Sequence, residues 1–156
     1  MGSVAAPLDD ASLPIPAAFV RLSFLVQSVY ARLAAEHGLT PQQAQLLCVV
    51  KDQPRGMAEL VDILRIDKSS VSGLVDRVER LGLVRRRPSP VDGRAVTVTT
   101  TARGRRLGNA FFADVSDQLE QITTHLRAPE RDALARLVSS VVLAEAVPPV
   151  FGAAAG

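Results

Sequence analysis

The sequence predicts a mainly α-helical chain that carries one small β-hairpin, and three observations lead there. Apolar residues recur at three- and four-residue steps through most of the chain. Residues 83–99 instead carry an alternating pattern, with Val96 and Val98 on one side and Ala95, Thr97 and Thr99 on the other. Residues suited to start and stop helices stand at the segment ends: Thr40, Asp67 and Thr101 as caps, Gly38 and Gly82 as stops.

Taken in order, the first helix covers about residues 15–37, where Phe19, Leu22, Val26, Val29 and Leu33 form a heptad-like stripe. Thr40 caps the second, with Pro41 at its first position and Gln43 completing a capping box; Leu46, Leu47 and Val50 are its expected buried side. Pro54 and Gly56 break the chain before a short third helix over 57–64. Asp67 caps a fourth helix beginning at Lys68, with Val71, Leu74, Val75, Val78 and Leu81 as its apolar stripe. Residues 83–87 and 94–99 are the two strands, joined by a tip at 88–93. Thr101 caps a long helix reaching about residue 126, with Leu107, Phe111, Leu119, Ile122 and Leu126 inward. A final helix over 129–146 is expected to bury Leu134, Leu137, Val138 and Val141. Residues 1–13 read as a flexible lead and 147–156 as a flexible tail.

Composition narrows the function classes. At 156 residues and 47% hydrophobic content the chain is one ordinary domain. No stretch approaches the ~20 apolar residues that a bilayer crossing requires. The N-terminus lacks the basic-then-apolar order of a signal peptide. A single cysteine, Cys48, precludes an internal disulfide and fits a reducing cytoplasm, so the expected location is cytoplasmic. Cys48 sits among Leu46, Leu47, Val49 and Val50, where a thiol is normally inert. His37 and His125 beside one cysteine give no metal-ligand spacing, so neither metal nor cofactor is expected. With no Gly-rich phosphate loop and no nucleophile paired to a base, the chain does not read as an enzyme.

Charge is segregated although the net value is only +2. Residues 65–106 hold eleven Lys/Arg against four Asp/Glu, while the remainder holds seven against twelve. One face is thereby offered to a polyanion. Two short helices followed by a hairpin with a basic tip describe a winged helix-turn-helix. Its second helix fits a major groove, and small polar residues near the start allow close approach. Ser69, Ser70, Ser72 and Gly73 supply these, flanked by Lys68 and Arg77. Ser69 and Ser70 also suit a helical first turn through local hydrogen bonds, and Asp76 and Arg80 are spaced to pair on the surface. Arg85, Arg86 and Arg87 crowd one strand and Arg94 follows the tip. Such like charges oppose folding but gain phosphate contacts, and a tip arginine suits a narrow minor groove. Asp92 either holds Arg94 extended or serves as a turn residue before Gly93. The rival reading is a winged helix that docks only protein, which has no need of this arginine density.

The run Leu60-x3-Leu64-x-Ile66-Asp67-Lys68-Ser69-Ser70-Val71-Ser72-x-Leu74-Val75-Asp76-Arg77-x2-Arg80-x-Gly82-Leu83-Val84-Arg85-Arg86, followed by Asp92-Gly93-Arg94-Ala95-Val96 and Gly104, resembles the MarR family of transcriptional regulators. The resemblance implies a winged helix-turn-helix core over 39–101, flanked by N- and C-terminal dimerisation helices at 14–38 and 102–146. It implies a homodimeric repressor on a pseudo-palindromic operator in double-stranded DNA, with recognition helices ~10 bp apart. Lys68, Ser69, Ser70, Ser72, Gly73 and Arg77 would face the duplex. Arg94, supported by Asp92, would enter the minor groove, and Arg85, Arg86 and Arg87 would lie near phosphates. A small aromatic or anionic effector would bind between the dimer region and the DNA-binding lobe, lined by Ser23, Gln27, Tyr30, Gln42 and Phe112. Where the family usually shows Leu-Thr before the long helix, this chain has Thr100-Thr101.

Overall fold

The computed structural model describes residues 12–148 and Phe151; most of the expected lead and tail therefore lies outside the described residues. The order is α1 (Ile15–Glu36), α2 (Pro41–Val50), β1 (Arg55–Gly56), α3 (Met57–Leu64), α4 (Lys68–Arg80), β2 (Val84–Pro88), β3 (Val96–Thr100), α5 (Ala102–Ile122) and α6 (Ala128–Ala144). The helix ends follow local chemistry. Thr40 Oγ1 accepts from the Gln43 amide while the Gln43 side chain accepts from the Thr40 amide, a complete capping box. Gly38 and Gly82 both sit at φ 71°, the left-handed conformation that closes α1 and the α4 end. The turn between α3 and α4 uses a left-handed residue too, but there it is Arg65, at φ 56°.

The wing is a three-stranded antiparallel sheet in the order β1-β3-β2. β2 pairs along β3 from Val84↔Thr100 to Pro88↔Val96, and β1 adds Arg55↔Val98 and Gly56↔Thr97. The sequence predicts only the hairpin. A two-residue strand has no period to read, and its partner β3 lies some forty residues onward, so the Pro54–Gly56 break conceals it.

The core gathers Leu46, Leu47 and Val50 of α2, Leu60 of α3, Val71, Leu74, Val75 and Val78 of α4, Val84 and Val98 of the sheet, and Phe111 of α5, each at most 1% exposed. Burial of each such side chain contributes on the order of 1.5–3 kcal/mol relative to leaving it in water. Leu81 departs from the expected stripe: α4 ends at Arg80, and Leu81, its C-cap, is exposed.

The flanking helices differ more. Only Val29, Leu33 and Ala34 of α1 are buried, whereas Phe19 and Leu22 of its expected stripe are exposed. No residue of α6 is buried; Leu134, Val138 and Val141 are exposed, and Leu137 reaches 67%. α5 stops at Ile122, with Leu107, Leu119, Ile122 and Leu126 only half-buried. The apolar stripes are real, but among the described residues much of those on α1 and α6 is left uncovered.

Candidate nucleic-acid interface

At the start of α4 one carboxylate organises three groups. Asp67 accepts from the Ser70 amide at 2.9 Å, the Ser70 hydroxyl at 2.6 Å and the Ser69 hydroxyl at 2.7 Å. These bonds, the Ser70 hydroxyl foremost and then Ser69, hold the Asp67 carboxyl well below the usual carboxylate range. The two serines thus serve the cap as well as the surface. Lys68, Ser69, Ser70 and Arg77 are exposed, and Ser72 and Gly73 are half-buried beside them.

Gly73 is informative because the fold does not demand it. A Cβ there would meet only the Arg77 Nη1 tip at 3.3 Å, the mobile end of a long side chain. A glycine in a helix interior costs about 0.5–1 kcal/mol relative to alanine. Gly73→Ala is therefore expected to raise the unfolding free energy by up to about 1 kcal/mol in denaturant titrations, while weakening duplex binding several-fold. Unchanged affinity would remove Gly73 from the contact face.

Strand alternation divides the wing arginines. Arg86 lies on the side of Val84 and faces α4. Its Nη1 reaches Glu79 Oε2 at 2.6 Å, its Nη2 reaches Asp76 Oδ1 at 2.7 Å, and its backbone amide donates to Glu79 Oε1 at 2.9 Å. The expected Asp76–Arg80 ion pair does not form, because Arg86 takes the Asp76 carboxylate and Arg80 Nε donates to the Asp76 carbonyl instead. Arg85 and Arg87 point the other way, exposed and without a carboxylate partner among the described residues.

At the tip, Asp92 Oδ1 accepts from the Arg94 backbone amide at 3.0 Å, and the Ala95 amide donates to the Asp92 carbonyl at 2.9 Å. Asp92 thus shapes the turn and does not bond the Arg94 guanidinium, correcting one of its two expected roles. Arg94 is exposed, again with no carboxylate partner among the described residues.

The wing root is fastened to α5. The Thr101 hydroxyl donates to the Gly82 carbonyl at 2.8 Å and accepts from the Gly104 amide at 3.0 Å, and the Thr101 amide donates to the Leu83 carbonyl at 3.0 Å. Gly104 lies directly on this strand start, where a Cβ would fall 1.8 Å from the Leu83 carbonyl oxygen.

The five expected effector residues are only partly brought together. Gln27 and Tyr30 of α1 and Gln42 of α2 line one cavity of ≈ 400 Å³, together with Cys48, Val49 and Phe151 among others. Ser23 is not in its lining; its hydroxyl donates to the Val20 carbonyl at 2.7 Å. Phe112 lies apart, its ring 4.4 Å from that of Phe151, with Lys51 Nζ 4.8 Å above it. Burial pushes the Tyr30 hydroxyl above its ordinary range and the Cys48 thiol up to about 12, so both stay protonated at neutral pH.

Helices α2 to α4 with the three-stranded sheet define the class: a mainly α winged helix-turn-helix protein. Residues 37–95 match the model of the MarR family. The HTH-type transcriptional repressor NicR of Pseudomonas putida is 29% identical over 116 residues, which span 74% of this chain and 73% of that protein. Among solved structures, the transcriptional repressor CouR bound to a 23-mer DNA duplex superposes with a TM-score of 0.70 at 24% identity, covering 89% of this chain and 99% of that one. A MarR family protein of Mycobacterium tuberculosis in complex with p-aminosalicylic acid gives 0.66 at 21% identity, covering 83% and 98%. The chain is a mainly α winged helix-turn-helix protein, similar over residues 37–95 to the MarR family.

Proposed function

We propose that the protein is a sequence-specific DNA-binding transcriptional regulator, a homodimeric repressor that binds a pseudo-palindromic operator and leaves it when a small effector binds. One observation carries the reading: Arg85, Arg87 and Arg94 stand exposed, with no carboxylate partner among the described residues, on a wing beside the small-residue face of α4. Arginines in that state contribute little to folding and much to phosphate and minor-groove contact. The repressor named among its relatives and the duplex-bound neighbour support it. In this reading α4 enters the major groove with its Asp67-capped end forward, and Arg94 reaches the adjacent minor groove. Such a role would hold the protein at the nucleoid, and no helix among the described residues is long and apolar enough to cross a membrane.

Dimerisation is the second element of the proposal. The exposed Phe19, Leu22, Phe24 and Leu25 of α1 and Leu134, Leu137, Val141 and Leu143 of α6 form apolar surface of the kind a second copy would cover. The cavity between α1 and α2 joins this surface to the DNA-binding lobe. An occupant there would favour one spacing of the two recognition helices over another, which is what release requires. Among the described residues its lining offers the amides of Gln27, Gln42 and Gln45 and the Tyr30 hydroxyl but no Lys or Arg. A neutral aromatic molecule with hydrogen-bonding substituents therefore fits it better than a bare anion.

Selection from a pool of random duplexes tests the proposal. The expected outcome is enrichment of a pseudo-palindrome with half-site centres ~10 bp apart. Recovery of no common sequence would favour the protein-docking reading.

A further inference from the structure

A second basic cluster lies at the wing root, apart from the α4 face and from the α1–α2 cavity. Arg85 of β2 and Arg105 and Arg106 of α5 surround a depression of ≈ 400 Å³, with Asn109, Thr100 and Ala102 completing the wall. None of these three guanidinium groups has a carboxylate partner among the described residues. Their position is adverse for folding on two counts. Three like charges converge, and two of them stand on the first turns of a helix with no acidic residue in its first turn, where the helix dipole disfavours cations.

We propose that this depression is a binding site for a phosphate group. Guanidinium groups present planar forks that take phosphate oxygens two at a time, and the amide end of α5 adds positive potential at the same place. A phosphate spreads its acceptor oxygens over a tetrahedron and so meets forks that converge from different directions, which a planar carboxylate does less well. The phosphate is either that of a small free molecule or a backbone phosphate of duplex flanking the operator; only the second source rests on the DNA-binding reading above. A ligand here would bridge β2 to α5 at the joint where Thr101 and Gly104 hold the wing, so its occupancy would stiffen the wing relative to the long helix.

The experiment compares the full chain with the Arg105→Ala/Arg106→Ala variant in two assays. Both side chains are exposed, so the variant is expected to fold, with an unfolding temperature in chloride equal to or above that of the parent. In the first assay inorganic phosphate is titrated against potassium chloride of matched ionic strength, followed by calorimetry and thermal unfolding. Saturable phosphate binding that stabilises the parent and not the variant supports the site with a free phosphate as its ligand. In the second, affinity against salt is measured on a duplex limited to the operator and on one extended on both sides. A slope of log K against log salt that falls in the variant by about one unit per phosphate lost, on the extended duplex alone, supports the site with DNA as its ligand. Phosphate binding in a protein that selects no operator would keep the site and overturn the repressor reading. Identical behaviour of parent and variant in both assays overturns the proposal, as does a stabilisation by phosphate that chloride reproduces.

Discussion

Gly104→Ala is expected to cost about 3 kcal/mol or more of stability, the upper range for forcing atoms into a filled core. The added Cβ would lie 1.8 Å from the Leu83 carbonyl oxygen, 2.7 Å from its carbon and 3.1 Å from Cα. All three are backbone atoms, so no rotamer change relieves the clash. α5 must withdraw from the strand start, which breaks the Thr101 bonds to Gly82 and Leu83 and detaches the wing root. Since a chain of this size holds only about 5–15 kcal/mol in total, a loss of about 3 kcal/mol should lower its unfolding temperature by roughly 6–12 °C. Gly108→Ala is the control. Its Cβ would meet Leu47 and Lys51 at 3.6–3.8 Å, ordinary contact, so it should be neutral or slightly stabilising. Denaturant unfolding of the two variants checks the contrast; a loss below about 1 kcal/mol for Gly104→Ala would mean that α5 does not press on Leu83 as described.

The second large effect is expected at α6. Leu137 is 67% exposed in the single chain, so Leu137→Asp should leave the fold of one chain intact. In a dimer that buries α6 the same change places an unpaired carboxylate in an apolar interface, costing several kcal/mol. The expected result is conversion of dimer to monomer in sedimentation equilibrium, with operator affinity falling at least about a hundredfold as one half-site is lost. A variant that remains dimeric would place the interface elsewhere.

What could be seen in the sequence was local. Thr40, Asp67 and Thr101 announce their helices because a cap needs only three residues of context, and Gly38 and Gly82 close them for the same reason. The wing arginines were visible as a group, but only strand pairing separates Arg86 from Arg85 and Arg87; Glu79, seven residues upstream, was the available signal that one of them had an internal partner. β1 was hidden because two residues carry no period, and Arg65 because it holds a left-handed turn without being glycine. The stripes of α1 and α6 were legible as apolar without showing whether the same chain covers them. Phe151 falls in a stretch read as tail, yet its ring lies 5.9 Å from Tyr30 and 4.4 Å from Phe112; nothing adjacent in sequence marks such a contact.

Arg94 decides the central claim, that the wing and α4 read DNA. The direct measurement is affinity against salt concentration for the parent and Arg94→Ala, on a selected operator and on a duplex of scrambled sequence. The expected result is strong preference for the operator and a steep salt slope, with Arg94→Ala weakening operator binding by about 1–3 kcal/mol per half-site and lowering the slope by about one unit per protomer. Equal binding of both duplexes, with a slope that Arg94→Ala leaves unchanged, would contradict it.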